Sequence, residues 1–207
     1  MDAFAATALS ILRRMDAEAV ARSDGKPTGL WWYGAHARPE LKRPQTEVEW
    51  SRRLGVLLSE AGYPTRREVP YPDKPRERCD LVVTLKDGRR LWLEVKGAWK
   101  DYWMKRGAAI FRSYLLHPLV PSPAVGKSHT AALDVLKLER LRPPHADAVA
   151  LLLVAFDHSS APVAPDLDEF ERLAGLDVAP WSEARDSWPD ERAPGRGVHA
   201  RIWIRSA

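Results

Sequence analysis

Arg78-Cys79-Asp80-Leu81-Val82-Val83-Thr84-Leu85-Lys86-Asp87-Gly88-Arg89-Arg90-Leu91-Trp92-Leu93-Glu94-Val95-Lys96 reads as two strands joined by a tight turn. Lys86-Asp87-Gly88 suits a three-residue hairpin loop with glycine in the left-handed position, which sets Leu85 against Arg89. Counting outward, Val83 faces Leu91, Leu81 faces Leu93 and Cys79 faces Val95, so the apolar side chains share one face, the expected core face. The other face pairs Thr84 with Arg90, Val82 with Trp92, Asp80 with Glu94 and Arg78 with Lys96. Two carboxylates therefore stand directly opposite each other. Such a pair costs about 0.5–1 kcal/mol unless a cation lies between them.

Elements around the hairpin follow from periodicity and breakers. Phe4, Ala8, Ile11, Leu12, Met15 and Ala19 recur at helical spacing, predicting a helix from Asp2 to about Arg22. Gly29 to Pro44, with Trp31, Trp32 and Tyr33, reads as a loop or short strand with aromatic anchors. A second helix is expected from Thr46 to about Ala61, stopped by Gly62 and Pro64, with Leu54, Leu57, Leu58 and Ala61 as its buried stripe. Arg66 to Tyr71 has strand character and leads into the Pro72-Asp73-Lys74-Pro75 turn. Ala98 to Ser128 reads as an insertion. Thr130 to about Leu141 predicts a helix closed by Pro143-Pro144, the unbroken apolar run Ala148 to Phe156 a fully buried strand, and Asp166 to Ala174 another helix. Pro180 to Gly197, rich in proline and charge, reads as loop before a final alternating strand through Val198, Ala200, Ile202 and Ile204. The order is mixed α/β with a strand meander, and a small sheet flanked by helices is expected.

Composition narrows the class. The 207 residues fit a single domain with a core at about 46–156, an N-terminal helical extension at 1–45 and a C-terminal extension at 157–207. One cysteine excludes an intrachain disulfide and a thiolate-rich zinc site. The longest apolar run is too short to cross a bilayer, and the N-terminal segment carries Asp2, Asp16 and Glu18 in place of a basic leader. A cytoplasmic protein without a membrane partner is expected. The net charge of +4 is unevenly spread: residues 38–106 hold 17 Lys/Arg against 11 Asp/Glu, whereas residues 107–207 hold 11 against 13. A basic middle suits a polyanion held by its phosphates, and equally an ordinary solvated surface.

Asp80 and Glu94 are oxygen donors suited to a hard divalent cation such as Mg²⁺, which keeps waters that exchange with phosphate oxygens. Lys96, two residues after Glu94, points to the same face and could position the attacking water or stabilise charge on phosphorus. An isolated Glu-x-Lys is more simply a solvated strand face, so the cross-strand placement of Asp80 carries the argument.

Asp80, a spacer of 13 residues and Glu94-Val95-Lys96 between the arms of a hydrophobic hairpin resemble the core motif of the PD-(D/E)XK, or restriction-endonuclease-like, nuclease superfamily. The resemblance spans about Thr46 to Phe156. It implies a restriction-endonuclease-like core, with a central mixed β-sheet flanked by helices, a further acidic residue on the preceding helix, and Mg²⁺-dependent phosphodiester hydrolysis. The residue before Asp80 is Cys79 where the pattern has proline. A literal Pro-Asp occurs at Pro72-Asp73, but there aspartate is explained by turn chemistry, and Asp80 is taken as the first acid. Glu47 and Glu49 compete as the helix acid. Glu49 completes a Thr-x-x-Glu capping box with Thr46, whereas Glu47 lies about 20° from Leu54 on the helical wheel against about 140° for Glu49. Glu47 is therefore chosen.

The expected activity is nucleic-acid phosphodiester hydrolysis, with DNA endonuclease as the leading form. Asp80, Glu94 and Lys96 are catalytic, Asp80, Glu94 and Glu47 hold Mg²⁺ with Mn²⁺ as a substitute, and a homodimer is compatible. Trp99, Lys100, Tyr102, Trp103, Lys105 and Arg106 interleave aromatic and basic side chains and are read as strand-contacting, with helix packing an equal alternative. Lys137, in Asp134-x-x-Lys137, could reach the metal site or a phosphate, with a solvated helix position as its simpler explanation. The alternative function is a non-catalytic nucleic-acid-binding or protein-interaction module that keeps the fold.

Overall fold

A computed structural model describes residues 1–21, 47–99, 130–157, 162–189 and 197–207. Its elements in chain order are α1 (Asp2–Ala21), α2 (Glu47–Glu60), β1 (Thr65–Pro70), β2 (Arg78–Thr84), β3 (Arg90–Trp99), α3 (Ala131–Glu139), β4 (Ala148–Phe156), α4 (Ala164–Leu173), β5 (Ser182–Pro189) and β6 (Gly197–Ser206). The six strands form one sheet in the order β1-β2-β3-β4-β6-β5. Only β3 and β4 run parallel, joined through α3, and every other neighbour is antiparallel. The chain is thus α/β, with a mixed sheet flanked by four helices among the described residues.

β4 organises both layers. All nine of its residues are buried. Ala148, Ala150, Leu152, Val154 and Phe156 enter the core beneath α1 and α2, whereas Val149, Leu151, Leu153 and Ala155 enter a second core beneath α3 and α4. A strand covered on both faces has no polar side, which is why its sequence does not alternate. α1 contributes Phe4, Ala8, Ile11, Leu12 and Met15 to the first core as expected, with Ala5 and Leu9 beside them. α2 contributes Trp50, Leu54 and Leu58; Ala61 lies past the helix end and is exposed, so it is not part of the stripe.

The hairpin turn forms as its sequence requires. Gly88 has φ +85°, its N–H donates to the Leu85 carbonyl at 2.9 Å, and the Leu85 N–H donates to the Arg89 carbonyl at 2.8 Å. Four pairs follow in the predicted register, from Thr84 with Arg90 to Leu81 with Leu93. The ladder then stops. The expected backbone pairs Cys79–Val95, Asp80–Glu94 and Arg78–Lys96 do not form, because the Asp80 carboxylate itself accepts the Val95 N–H at 2.8 Å. The β1–β2 ladder also skips the Asp80 level: Arg67 pairs with Leu81 and Val69 with Cys79, and between them Glu68 has φ 52°, a left-handed conformation that costs a non-glycine residue. Cys79 consequently belongs to the α3/α4 core and not to the face shared by Leu81 and Val83.

Two boundaries differ from expectation. β3 continues three residues beyond Lys96, because its parallel pairing with β4 runs to Trp99 with Phe156. Within the stretch read as loop, Ser182–Pro189 forms β5. Its charges suit an edge strand, where one side of the backbone lacks a neighbour and charged residues discourage indiscriminate pairing. β5 is tied to α1 by Arg13, whose Nε donates to Asp186 at 2.9 Å, and by the Trp188 indole N–H, which donates to Asp16 at 2.9 Å. No helix among the described residues is long and apolar enough to cross a membrane.

Leu152 is fully buried between strands and the α1/α2 layer, so Leu152→Ala should cost about 2–5 kcal/mol. Val56→Ala, at a position 50% exposed on α2, should stay within about 0.5 kcal/mol. Urea denaturation of the two variants checks the assignment, and equal losses would refute the core described above.

Candidate active site

Where β2 and β3 separate, the sheet opens a gap on the α3/α4 side that polar side chains fill. Glu94 and Lys96 lie two residues apart on β3 and so share a face, beside Leu151 and Leu153 of β4. Both are buried, at 3% and 7% exposure. Asp80 reaches the same region from β2, one carboxylate oxygen holding the Val95 N–H. The three residues singled out by spacing are therefore brought together, although by a side-chain bridge to the backbone and not by direct cross-strand pairing.

The layer above supplies the rest. Thr130 caps α3, its hydroxyl accepting the Leu133 N–H at 3.3 Å. The helix so placed aims Asp134 and Lys137, three residues apart and hence on one face, at the sheet. Lys137 Nζ lies 2.6 Å from Asp134 Oδ1 and 4.0 Å from Glu94 Oε1, and Lys96 Nζ lies 3.3 Å from Asp134 Oδ2. Lys137 is thus part of the cluster and not a solvated helix residue, with its side chain only 19% exposed. Tyr71, fully buried just after β1, donates its hydroxyl to Glu94 Oε1 at 2.5 Å. Its ring packs on Trp92, with centroids 5.5 Å apart.

Counting formal charges, Asp80, Glu94 and Asp134 face Lys96 and Lys137, leaving one negative charge in excess. The protonation equilibria register this imbalance. Burial pushes the Glu94 carboxyl well above the usual carboxylate range, and Asp134 and Asp80 push it further, against Lys137 and the Tyr71 hydrogen bond. Burial also raises Asp80, opposed chiefly by the Val95 N–H and a hydrogen bond with Glu94. A hydrogen bond between two carboxyl groups needs a shared proton, so without a cation this pair titrates as a unit. Burial alone would lower the Lys137 ammonium, but Asp134 and Glu94 outweigh it and hold the group charged. The Tyr71 hydroxyl is raised by burial, with Cys79 and Glu94 adding to the shift, and serves as a donor.

This donor set fits Mg²⁺ or Mn²⁺. Such an ion binds through one or two carboxylates and completes its shell with water and substrate oxygens, and Asp80 with Glu94 supplies that number together with the charge excess. No group of three His, Cys, Asp or Glu side chains among the described residues is arranged to hold a metal unaided. Glu47 begins α2, and its side chain lies outside the described atoms, as does that of Trp99. Lys100, Tyr102, Trp103, Lys105 and Arg106 lie outside the described residues, as do Gly29 to Pro44 and the rest of the expected insertion to Ser128. Glu49 is exposed. Asp73, the rejected first acid, pairs with Arg140 at 2.9 Å beside Glu77, at the surface.

Sequence reading missed Asp134 and Tyr71 as site residues. Asp134 carried a usable signal, because it sits among Ala131, Val135 and Leu138 on the apolar stripe of its helix, where an acid is costly without a partner. Tyr71 carried none, since its partner is remote in the chain. Comparison of the chain with known protein families, with curated proteins and with solved structures returns no match.

The raised carboxyl groups give stability a definite pH dependence. In the unfolded chain both titrate near 4 (about the ordinary value). Between that value and their higher folded values the native state binds more protons than the unfolded one, so stability falls as pH rises through this window. The urea midpoint of the EDTA-treated protein should therefore decline from about pH 4 upward more steeply in the wild type than in Glu94→Gln. Mg²⁺ at alkaline pH should restore the wild-type midpoint and leave that variant unmoved. Parallel curves for the two proteins would refute the assigned protonation.

Proposed function

We propose that this chain is a PD-(D/E)XK-type, metal-dependent nuclease that hydrolyses phosphodiester bonds in nucleic acid, acting as a DNA endonuclease in the cytoplasm. The observation that carries the reading is the convergence of Asp80, Glu94 and Lys96 at the point where two strand ladders part. That point lies within the segment of the chain with the largest excess of Lys and Arg. The strand meander, the crossover through α3 and the buried β4 agree with the core architecture that the motif's resemblance implies.

In this reading Asp80 and Glu94 hold the ion. Bound there, Mg²⁺ would act as a Lewis acid on the scissile phosphate and stabilise charge gathering on its oxygens. Lys96 keeps an ammonium beside the attacking water and the phosphoryl oxygens, where a fixed positive charge in a poorly solvated site is most effective. Asp134 positions Lys96 and Lys137 from above. Tyr71 fixes one oxygen of Glu94, leaving the carboxylate oriented when its proton is lost.

One observation favours a second reading. Both lysines are already engaged by Asp134, and Lys137 stands close to Glu94, so the cluster is largely neutralised from within. A buried ion network of that kind serves equally well in a nucleic-acid-binding or protein-interaction module without turnover, where breaking any member would leave an uncompensated buried charge.

Cleavage of single- and double-stranded DNA with Mg²⁺ or Mn²⁺ separates the two. The wild type should cut, and Glu94→Ala and Lys96→Ala should each lose about a hundredfold or more in rate while still binding DNA. Equal rates in wild type and variants would overturn the site. Binding without cleavage by the wild type would establish the module in its place.

A further inference from the structure

The side of β5 away from β6 forms one edge of the sheet among the described residues. Such an edge presents a row of N–H and C=O groups with no strand beside them. The side chains there alternate in sign in a way that discriminates between registers. Glu183 and Arg185 lie two apart on one face and already touch, with Arg185 Nη2 2.9 Å from Glu183 Oε2. Arg185 remains 66% exposed, whereas Glu183 is mostly covered. Glu183 Oε1 is shut off from solvent and accepts no hydrogen bond among the described residues; its ionic neighbour is Arg201, with Nε at 3.6 Å.

We propose that β5 is a self-complementary edge through which two copies of this chain join their sheets, antiparallel about a two-fold axis at Ala184. This register sets Glu183 of each copy against Arg185 of the other, on the same face, twice per dimer. Each Arg185, 66% exposed, then brings its remaining donors beside the acidic side chain of the other copy. The neighbouring arrangements are worse. Centring the axis on Glu183 or on Arg185, the nearest alternatives that a two-fold normal to the sheet permits, opposes that residue to its own copy. Charges that normally guard an edge against pairing here permit one pairing and penalise its neighbours.

A second feature lies along the same edge. Between α1 and β5 runs an open groove of about 480 Å³ lined in part by Ala5, Leu9, Ala184, Ile202 and Ile204. A two-fold axis normal to the sheet keeps both copies of α1 on one face and brings the two grooves alongside each other, so the interface combines apolar burial with the charge pairs of the opposite face. The interface is independent of the nuclease reading, because no residue of the cluster around Glu94 takes part.

Analytical ultracentrifugation of the full chain over a range of concentrations tests the proposal, with circular dichroism as a check on folding. The wild type should form dimers. Arg185→Glu, at an exposed position, should raise the dissociation constant about tenfold or more by opposing acid to acid, and the double swap Glu183→Arg with Arg185→Glu should restore association. Ala184→Cys supplies a measurement that does not depend on charge: under oxidation it should link two chains through a disulfide at the axis, where directly opposed residues bring their Cβ atoms within about 5 Å. The native Cys79 is buried and gives the wild-type control. A wild type that stays monomeric, an Arg185→Glu variant that dimerises unchanged, or an Ala184→Cys variant that does not cross-link would each overturn the proposal.

Discussion

The Asp80 carboxylate stands where a strand carbonyl would ordinarily stand, accepting the Val95 N–H. That substitution satisfies the amide and ends the β2–β3 ladder at the same time, since the Val95 N–H no longer reaches the Cys79 carbonyl that the hairpin register would set against it. β3 then follows β4 alone, in parallel, for the rest of its length. The gap left between the diverging strands is polar at its base and roofed by α3. The candidate site, from its buried acids to the lysines beside them, depends on that gap.

Filling it raises an energetic problem. Three carboxylates removed from water repel one another, and in a poorly polarisable interior this repulsion exceeds that of the same groups at a surface. The structure offsets it in two ways. Lys96 and Lys137 bring positive charge from two different elements, and Tyr71 donates a neutral hydrogen bond to Glu94. The offset is incomplete, which leaves protons, or a divalent ion, to make up the difference. An arrangement built for neutrality alone would need no such remainder, and this is the physical link between the folding energetics of the cluster and the metal-dependent chemistry proposed for it.

The C-terminal third of the chain shows how position in a sheet changes the meaning of composition. β6 lies inside the sheet and alternates cleanly between the two cores, with Val198, Ala200, Ile202 and Ile204 on one side and Trp203 on the other. β5 lies at its edge among the described residues, paired with β6 along its length and tied to α1 by polar contacts such as Arg13 to Asp186 and Trp188 to Asp16. Both are strands of the same sheet. Only the inner one announces itself through hydrophobic periodicity.

Local features of the chain were sufficient for the elements whose signals are consecutive. The Lys86-Asp87-Gly88 turn set four cross-strand pairs, the run from Ala148 to Phe156 marked a strand buried on both faces, the end of α2 followed from Gly62 and Pro64, and the Asp80, Glu94 and Lys96 spacing picked out the candidate site. These succeed because a two-residue strand period, a 3.6-residue helix period and turn stereochemistry act within a few bonds. Tertiary structure decided what those periods could not: that the ladder opens at Asp80, that Cys79 changes core, that a charge-rich stretch pairs as β5, and that Asp134, Lys137 and Tyr71 complete the cluster around Glu94. Each of those outcomes turns on which remote element lies across the sheet face or along its edge, and the energy of a buried charge depends on neighbours in space, which no local period along the chain encodes.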